Sequence, residues 1–538
     1  MTKHIFVLGT SISGLGKGIV SASLGNILKS FNYKVSIQKF DPYFNYTASS
    51  LNPLQHGEIF IFADGTEGDQ DLGYYYRFLN QELTQDNSLT SGIIYNNILQ
   101  NERQGKYLGQ TVQMIPHITN EVKRYINIFN NSYDIVIHEL GGTLGDLESA
   151  VYTEAIRQMQ YDLAPYNILI ILLIYLPFLH TTQEIKTKIA QQGVEKCRSL
   201  GINPDILICR SECNFDDSIK DKLALFTNIK KKFIIKNLDA PSIYHVPKML
   251  IEEGILSALK SKLKMEFIDD SNYQQWNNVV LNSYEKAVNI ALVGKYVQLH
   301  DAYISICEAL RFAGWKNKVN VNIQWINAEE FKIEDLNAAD GILVPGGFGF
   351  RGFEGKIKAL KYGRENNIPC LGICFGCQAM FVEFARNVLN ISDANSEEII
   401  METKQESNNL IVHLMDGQRN LDEMSHTLRL GDYPCKLNVD SKVYSFYKKE
   451  IINIRHRHRF EFNNDYRQRF NDHGFKIVGT SNYYKTAENN DELVELVELD
   501  NNDFYIGIQG HPELLSTPMN SEPLFDAFIH AAVNYRYK

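Results

Sequence analysis

The feature that most restricts the fold of this chain is the regular alternation of short, β-rich apolar runs with helical stretches. In the first half the runs fall at residues 5–8, 34–38, 134–138, 168–176 and 205–209. Strand-length runs separated by helical segments predict a mostly parallel, doubly wound sheet. From residue 288 the pattern restarts, with strands expected at 289–294 and 341–345, a helix over 301–313 and a last strand at 504–508. Residues 266–286 between them are polar and show no strong period. With 538 residues, too many for one core, the expected class is α/β: two doubly wound, mostly parallel-sheet domains at 1–266 and 288–538, joined by a linker at 267–287. The polar, asparagine-bearing stretch 401–421 reads as a surface loop.

Two of the strands run into glycine-rich turns. In the second half, the apolar run 368–371 leads into Gly372-Ile373-Cys374-Phe375-Gly376. A cysteine between glycines at a strand-to-helix turn is the pattern of a nucleophile elbow, and the helix N-terminus favours a thiolate. Gln509-Gly510-His511-Pro512-Glu513 supplies a histidine to take a proton and a carboxylate to orient it. Cys374 and Cys377 also spell C-x-x-C, a redox or metal pattern. A zinc site would need a second pair, and Cys197, Cys209, Cys213, Cys307, Cys370 and Cys435 are scattered, so Cys377 reads as a packed helix residue.

In the first half, Gly9-Thr10-Ser11-Ile12-Ser13-Gly14-Leu15-Gly16-Lys17-Gly18 follows the first strand and opens a helix over 19–29. Backbone N–H groups there would cradle phosphate oxygens, with Lys17 as the point charge. Gly18 stands where a Ser or Thr would usually bind magnesium, so carboxylates must carry more of the metal. Glu139, at the end of the run 134–138 and before Gly141-Gly142, would point into the ligand crevice of an open α/β sheet. Asp71 reads equally well as a metal ligand or a surface acid, and Lys39 is similarly open.

A formal net charge of −10 argues against a general nucleic-acid or acidic-membrane partner. Hydrophobic content of 44% and charged content of 22% are those of an ordinary globular protein. Eight irregularly spaced cysteines fit a reducing, cytoplasmic setting. The start has too short an apolar run for a signal peptide, and the run 166–179 falls short of the roughly 20 residues that span a bilayer. The segment Arg455-His456-Arg457-His458-Arg459 can be read as a metal site, a basic patch or a carboxylate-binding element; the last, through Arg459, explains it best.

Taken together, Ser13-Gly14-Leu15-Gly16-Lys17-Gly18, Lys39-Phe40-Asp41-Pro42-Tyr43, Gln55-His56-Gly57-Glu58, the run from Glu139 to Ser149, and Arg455 to Arg459 resemble the CTP synthases over essentially the full length. The resemblance implies an N-terminal ATP-dependent synthase (amidoligase) domain and a C-terminal class I glutamine amidotransferase domain, converting UTP, ATP and glutamine to CTP, ADP, phosphate and glutamate. It implies ATP contacts from Gly14, Leu15, Gly16, Lys17, Gly18, Ile19, Lys39 and Asp71, with Arg210, Leu238, Asp239 and Ala240 near the adenine, and Mg²⁺ on Asp71 and Glu139. The UTP or CTP site would be lined by Ser13, Asp146, Leu147, Glu148, Lys186, Thr187, Lys188, Ile189, Ala190, Gln191 and Lys222. Catalysis in the second domain would fall to Cys374, His511 and Glu513, with Gly347 and Phe375 forming the oxyanion hole. Glutamine would be held among Gly347, Phe375, Gly376, Cys377, Gln378, Glu398 and Arg459. His56 and Ile59 match positions at the mouth of an ammonia passage. GTP as activator, CTP as inhibitor and a homotetramer are likewise implied, with no nucleic acid or membrane partner.

The sequence departs from the family pattern at Gly14, Ser49-Ser50-Leu51-Asn52, Ile189-Ala190, Gln192-Gly193, Leu238, Ile304 and Gly510, which bears on nucleotide affinity and feedback inhibition. The rivals are another P-loop amidoligase acting on a carboxylate, and a scaffolding homologue with degraded activity. Lys186 to Gln191 and Gly145 to Glu148 argue against the first. Retention of Cys374, Lys17 and Glu139 argues against the second. GMP synthetase is excluded by domain order.

Overall fold

A computed structural model describes residues 1–10, 12–48, 57–414, 428–482 and 492–538. The chain divides into two compact units, Met1–Ala48 with Asp71–Leu281, and Ser49–Gln70 with Asn282–Lys538.

The first unit is built on a seven-stranded sheet of β1 (Lys3–Gly9), β2 (Val35–Asp41), β3 (Ser88–Thr90), β4 (Ile135–Leu140), β5 (Ile168–Tyr175), β6 (Ile206–Ser211) and β7 (Ile234–Leu238). Their order is β7-β6-β5-β1-β4-β2-β3, and every pairing is parallel. Residues 5–8, 135–137 and 169–174 are all buried, which is why they read as continuous apolar runs without alternation. Among the helices of this unit, α1 (Lys17–Ser30), α2 (Gln70–Leu79) and α3 (Lys188–Ser199) matter for the site. The chain leaves β1 toward β2 on one side and later fills β5 to β7 on the other. The carboxyl end of β1 is therefore a topological switch point, where open sheets bind ligands.

Within the stretch expected to be a polar linker, α4 (Ser271–Val280) forms a helix that belongs to the first unit. Trp276 is buried against Phe78 and Tyr244, with ring centroids 5.5 and 6.0 Å away, and Val280 one turn on is also buried. Trp276 and Val280, with Tyr273 stacked on Phe31 one turn earlier, seat a helix whose remaining residues are mostly polar.

The second unit carries a nine-stranded sheet: β8 (Ala287–Gly294), β9 (Asn320–Asn327), β10 (Gly341–Val344), β11 (Cys370–Ile373), β12 (Arg429–Leu437), β13 (Ile451–His458), β14 (Phe475–Ser481), β15 (Leu493–Leu499) and β16 (Tyr505–Ile508). The order is β9-β8-β10-β11-β16-β15-β14-β12-β13. It is parallel from β9 to β16 and antiparallel beyond. Residues 500–504, which join β15 to β16, are too few for a crossover helix, so these strands return side by side. Alternate residues of β8 feed opposite cores: Ala291 and Val293 pack on one face, Val288, Ile290 and Leu292 on the other. Helices α5 (Ile304–Lys316), α6 (Phe353–Glu365), α7 (Phe375–Asn387), α8 (Glu397–Thr403) and α9 (Pro523–Arg536) complete the unit.

Two segments differ from expectation here. In the stretch read as a surface loop, Leu410–Leu414 is a strand pairing antiparallel with Phe460–Phe462, and its Ile411 and Val412 are fully buried; residues 415–421 lie outside the described residues. The strand's three buried apolar side chains, Ile411, Val412 and Leu414, do not alternate with polar ones over five residues, so the run carries no clear strand period. The hairpin Phe60–Ile61 with Glu67–Gly68, far upstream in the chain, folds with this unit. Arg455 donates to the Ile61 carbonyl at 3.1 Å, and Arg457 pairs with Glu67 at 2.9 Å.

Candidate active site

In the first unit, the loop after β1 runs into α1, and Lys17 at its first turn donates to the Gly142 carbonyl at 2.8 Å. Burial pushes the Lys17 ammonium below its ordinary value, with Glu139 pulling the other way. Glu139 stands at the carboxyl end of β4, and register places it beside Lys39 of β2. Lys39 pairs with Asp71, and lies 3.6 Å from Glu139 and 3.8 Å from Asp41. The Tyr75 hydroxyl donates to Glu139. Burial pushes the Glu139 carboxyl up, against the pull of Lys39. The expected Lys17, Lys39, Asp71 and Glu139 thus converge, joined by Asp41 and Tyr75. Asp41 was within reach of the sequence, inside the Lys39-Phe40-Asp41 run; Tyr75 carried no signal.

The other expected positions of this unit gather beside the same loop. A Cβ on Gly193 would stand 3.3 Å from the Cβ of Thr10, so α3 abuts the loop after β1. A Cβ on Gly145 would collide with the Lys196 side chain, which brings the exposed run Asp146, Leu147 and Glu148 near α3. Lys186 pairs with Glu184, and Lys222 lies within electrostatic reach of the same carboxylate. Thr187, Ala190 and Gln191 are buried, whereas Lys188 and Ile189 are exposed. Arg210 at the end of β6 pairs with Asp239 at 2.5 Å, between Leu238 and Ala240.

Hard oxygen donors on two acids, Asp71 and Glu139, suit Mg²⁺, which is held by one or two carboxylates together with substrate phosphates. Among the described residues no group of three or more His, Cys, Asp and Glu is placed to cage a metal ion by itself.

In the second unit, β11 turns into α7 at Cys374, whose φ of 52° and ψ of −109° are those of a strained elbow. A Cβ on Gly372 would come within 2.9 Å of the Gly376 carbonyl, so this tight approach requires glycine. His511 lines the same cavity as Cys374 and, through Nδ1, hydrogen-bonds the Glu513 carboxylate at 2.7 Å. A cysteine, a base and an orienting acid in this arrangement can attack a carbonyl and pass a proton to the leaving group.

Gly347, Phe375, Gln378, Glu398 and Arg459 line one narrow cleft with Cys374. Gly376 and Cys377 do not: Gly376 packs on Val344, and Cys377 is buried in the core beside Gly507. Glu398 accepts from the Gly349 N–H at 2.7 Å, and burial pushes its carboxyl up while Lys295 and Arg459 oppose this. On its other side Cys374 faces a cavity of about 150 Å³ that Ile59, Ile61, Gly347, Arg457 and His511 also line. His56 lies outside the described residues.

The histidines of the basic run are not ligands in waiting. His456 and His458 hydrogen-bond each other at 2.8 Å, fully buried, and burial with Arg429 nearby pushes both well below the ordinary range. Behind them Arg429 bridges Glu495 at 2.6 Å and Glu461 at 3.2 Å.

Comparison with known proteins gives a separate family match in each half of the chain. The family described as CTP synthase N-terminus matches residues 3–265, and glutamine amidotransferase class-I matches residues 298–531. The CTP synthase of Clostridium kluyveri is 47% identical over 100% of this chain and 99% of its own. The chain belongs to the CTP synthase family. The Aquifex aeolicus CTP synthase is 46% identical over the whole of both chains. A solved structure of the Trypanosoma brucei CTPS glutaminase domain with bound acivicin shares 35% identity, covering 46% of this chain and 94% of that one, with a TM-score of 0.42. As a CTP synthase family member the protein is a ligase of pyrimidine biosynthesis that uses ATP and glutamine to convert UTP to CTP. Among the described residues no helix is long and apolar enough to cross a membrane.

Sequence reading missed four groups at the glutamine cleft of this CTP synthase family member. Glu402 accepts from the Phe350 N–H at 3.1 Å; Lys295 donates to the Phe348 carbonyl; Arg457 lies over the Phe348 ring; Lys356 is buried under the loop 345–347. Arg457 lies inside the Arg455–Arg459 run, where the sequence singled out Arg459 instead; the other three sit in no motif, and only the fold brings them there.

Proposed function

We propose that the two units divide the reaction, with synthase chemistry in the unit of the first sheet and glutaminase chemistry in the unit of the second, in place of a plain division at 1–266 and 288–538. The observation that carries this is the elbow: Cys374 at φ 52°, beside the hydrogen-bonded His511–Glu513 pair, facing a cleft that Glu398 and Arg459 share. The Cys374 thiolate attacks the glutamine γ-carbonyl carbon, and a C–S bond forms while the carbonyl oxygen becomes an oxyanion held by the N–H groups of Gly347 and Phe375. When the intermediate collapses the C–N bond breaks, and His511 protonates the nitrogen, which leaves as ammonia. Water, activated by His511, then releases glutamate from the thioester. Arg459 and Glu398 answer the carboxylate and ammonium of the amino acid, and Gln378 completes the cleft. The cavity on the other side of Cys374, lined by Ile59, is where ammonia begins its passage.

In the synthase unit, Lys17 and the N–H groups of the loop at Gly14 to Ile19 hold ATP phosphates. Uracil O4 attacks the γ-phosphorus and ADP leaves, with Lys39 neutralising the charge on the transferring group. Ammonia then adds at C4 and phosphate departs, a far better leaving group than the original oxygen. Asp71 and Glu139 would hold Mg²⁺, which would supply further neutralisation of phosphate charge. Ser13, Asp146 to Glu148, Lys186 to Gln191 and Lys222 contact the pyrimidine nucleotide; Arg210 and Leu238 to Ala240 sit by the adenine. GTP activation, CTP inhibition, a homotetramer and a cytoplasmic setting belong to the same reading and rest on the family resemblance and the cysteine spacing.

The test is a pair of variants. Cys374→Ala is expected to abolish CTP formation from glutamine while leaving formation from free ammonia intact, and Lys17→Ala to stop both. Equal loss of both activities in Cys374→Ala would refute the two-site scheme.

A further inference from the structure

Lys356, on α6, is fully buried, yet it makes no ion pair with any Asp or Glu among the described residues. Its ammonium donates to the Pro345 carbonyl at 2.8 Å and reaches the Gly346 carbonyl at 3.5 Å. It also lies 4.8 Å from the centroid of the Phe375 ring. Burial pushes it down to about 7, Lys295 adds to this, and Cys374 and Glu398 oppose it. A buried cation without a carboxylate partner costs stability, and replacing such groups by apolar ones often stabilises a fold. Packing therefore does not account for it.

Its contacts do. A trans peptide is planar, so the Gly346 C=O and the Gly347 N–H point in opposite directions. With the Gly346 oxygen drawn toward Lys356, the Gly347 N–H turns away from it, into the cleft that Gly347 lines with Cys374. Gly347 has a φ of +146°, a region open to glycine and closed to other residues, so nothing in its own backbone holds this peptide in one orientation. Lys356 donates to the carbonyl on the Gly346 side of this peptide, and Lys295 to the Phe348 carbonyl beyond Gly347. The same ammonium lies against Phe375, whose N–H is the other proposed oxyanion donor, so one side chain touches both halves of the hole. We infer that Lys356 is a positioning residue for glutamine hydrolysis: it locks the 345–347 backbone so that the Gly347 N–H faces the oxyanion, and it sets a positive charge behind that N–H. This rests on the glutaminase reading of Cys374 given above.

The experiment compares steps that need the oxyanion hole with one that does not, using full-length Lys356→Met. The kcat for glutamate release is expected to fall on the order of 100-fold, the scale of losing one oxyanion donor, with KM for glutamine changed less than about threefold. An aldehyde analogue of glutamine adds to the Cys374 sulfur to give a thiohemiacetal whose oxygen occupies the hole, so its affinity is expected to fall by a similar factor. Alkylation of Cys374 by iodoacetamide builds no oxyanion and is expected to stay within about twofold, and CTP formation from ammonia is expected to persist. Alkylation falling in step with kcat would assign Lys356 to the thiol or to packing, and an unchanged kcat would remove it from the reaction; either overturns the proposal. Lys356→Gln, which keeps a donor without the charge, is expected to lose less kcat than Lys356→Met, and equal losses would count against the donor role even if the Met variant folds poorly. Failure of the glutaminase reading shows separately, as wild-type protein that keeps its glutamine-dependent activity after Cys374 is alkylated.

Discussion

His511 owes its charge to two neighbours. Burial alone would push the imidazole down, but the Glu513 carboxylate and the Cys374 sulfur raise it well above its ordinary value. With the folded value above the unfolded value near 6.5, the stabilisation is fully present below that pH and is lost only as pH climbs through the raised folded value. The imidazolium therefore persists through neutral pH. Glu513→Gln removes the largest upward pull, so the alkaline fall in glutamate release is expected to move to lower pH, with kcat reduced on the order of 100-fold. A pH–rate profile checks this; an unshifted alkaline limb would separate Glu513 from the imidazole. At the same scale, Gly510 fits its place: a Cβ there would stand 2.7 Å from the Arg455 carbonyl oxygen, so the departure noted in the sequence goes with close backbone packing behind His511. Cys374, His511 and Glu513 were legible because elbow and base each sit in a short, chemically distinctive run. Lys356, Glu402 and the Arg429–Glu461–Glu495 cluster were not, since each becomes meaningful only beside residues distant in the chain.

Among the elements, the strands of the first unit were legible because both faces of a parallel sheet are covered and apolar residues cannot alternate with polar ones. The helix α4 was not, because its two buried residues, Trp276 and Val280, stand among mostly polar neighbours. Trp276→Ala is expected to cost about 3–5 kcal/mol, the range for emptying an aromatic core site, and to open residues 266–286 to protease. Denaturant unfolding with limited proteolysis measures both; an unchanged midpoint would mean that α4 is an appendage. The strand Leu410–Leu414 escaped for the converse reason, since its neighbours are polar and its pairing partner lies some fifty residues on, at Phe460–Phe462.

For the whole molecule, the hairpin Phe60–Ile61 with Glu67–Gly68 matters most. It falls within the range of the synthase family match, yet it folds with the glutaminase unit, held by Arg455 and Arg457. Ile59, just before it, lines the cavity at Cys374. Glu67→Ala removes the partner of Arg457, a pair with little solvent access. It is expected to lower CTP formed per glutamate released by roughly twofold, with glutamate release itself little changed. Measuring both products in one assay decides it, and an unaltered ratio would free the hairpin of any part in retaining ammonia.

The sequence by itself determined the class of fold, the elbow, the phosphate loop and the family, because apolar period and glycine-bounded motifs are local and survive without coordinates. Only the tertiary structure decided which acids surround Lys39, that Cys377 faces the core while Gln378 faces the cleft, that residues 57–70 fold with the second unit, and that a buried lysine stands behind Gly347. Those facts depend on which distant residues meet, and on how burial and neighbouring charge set their protonation.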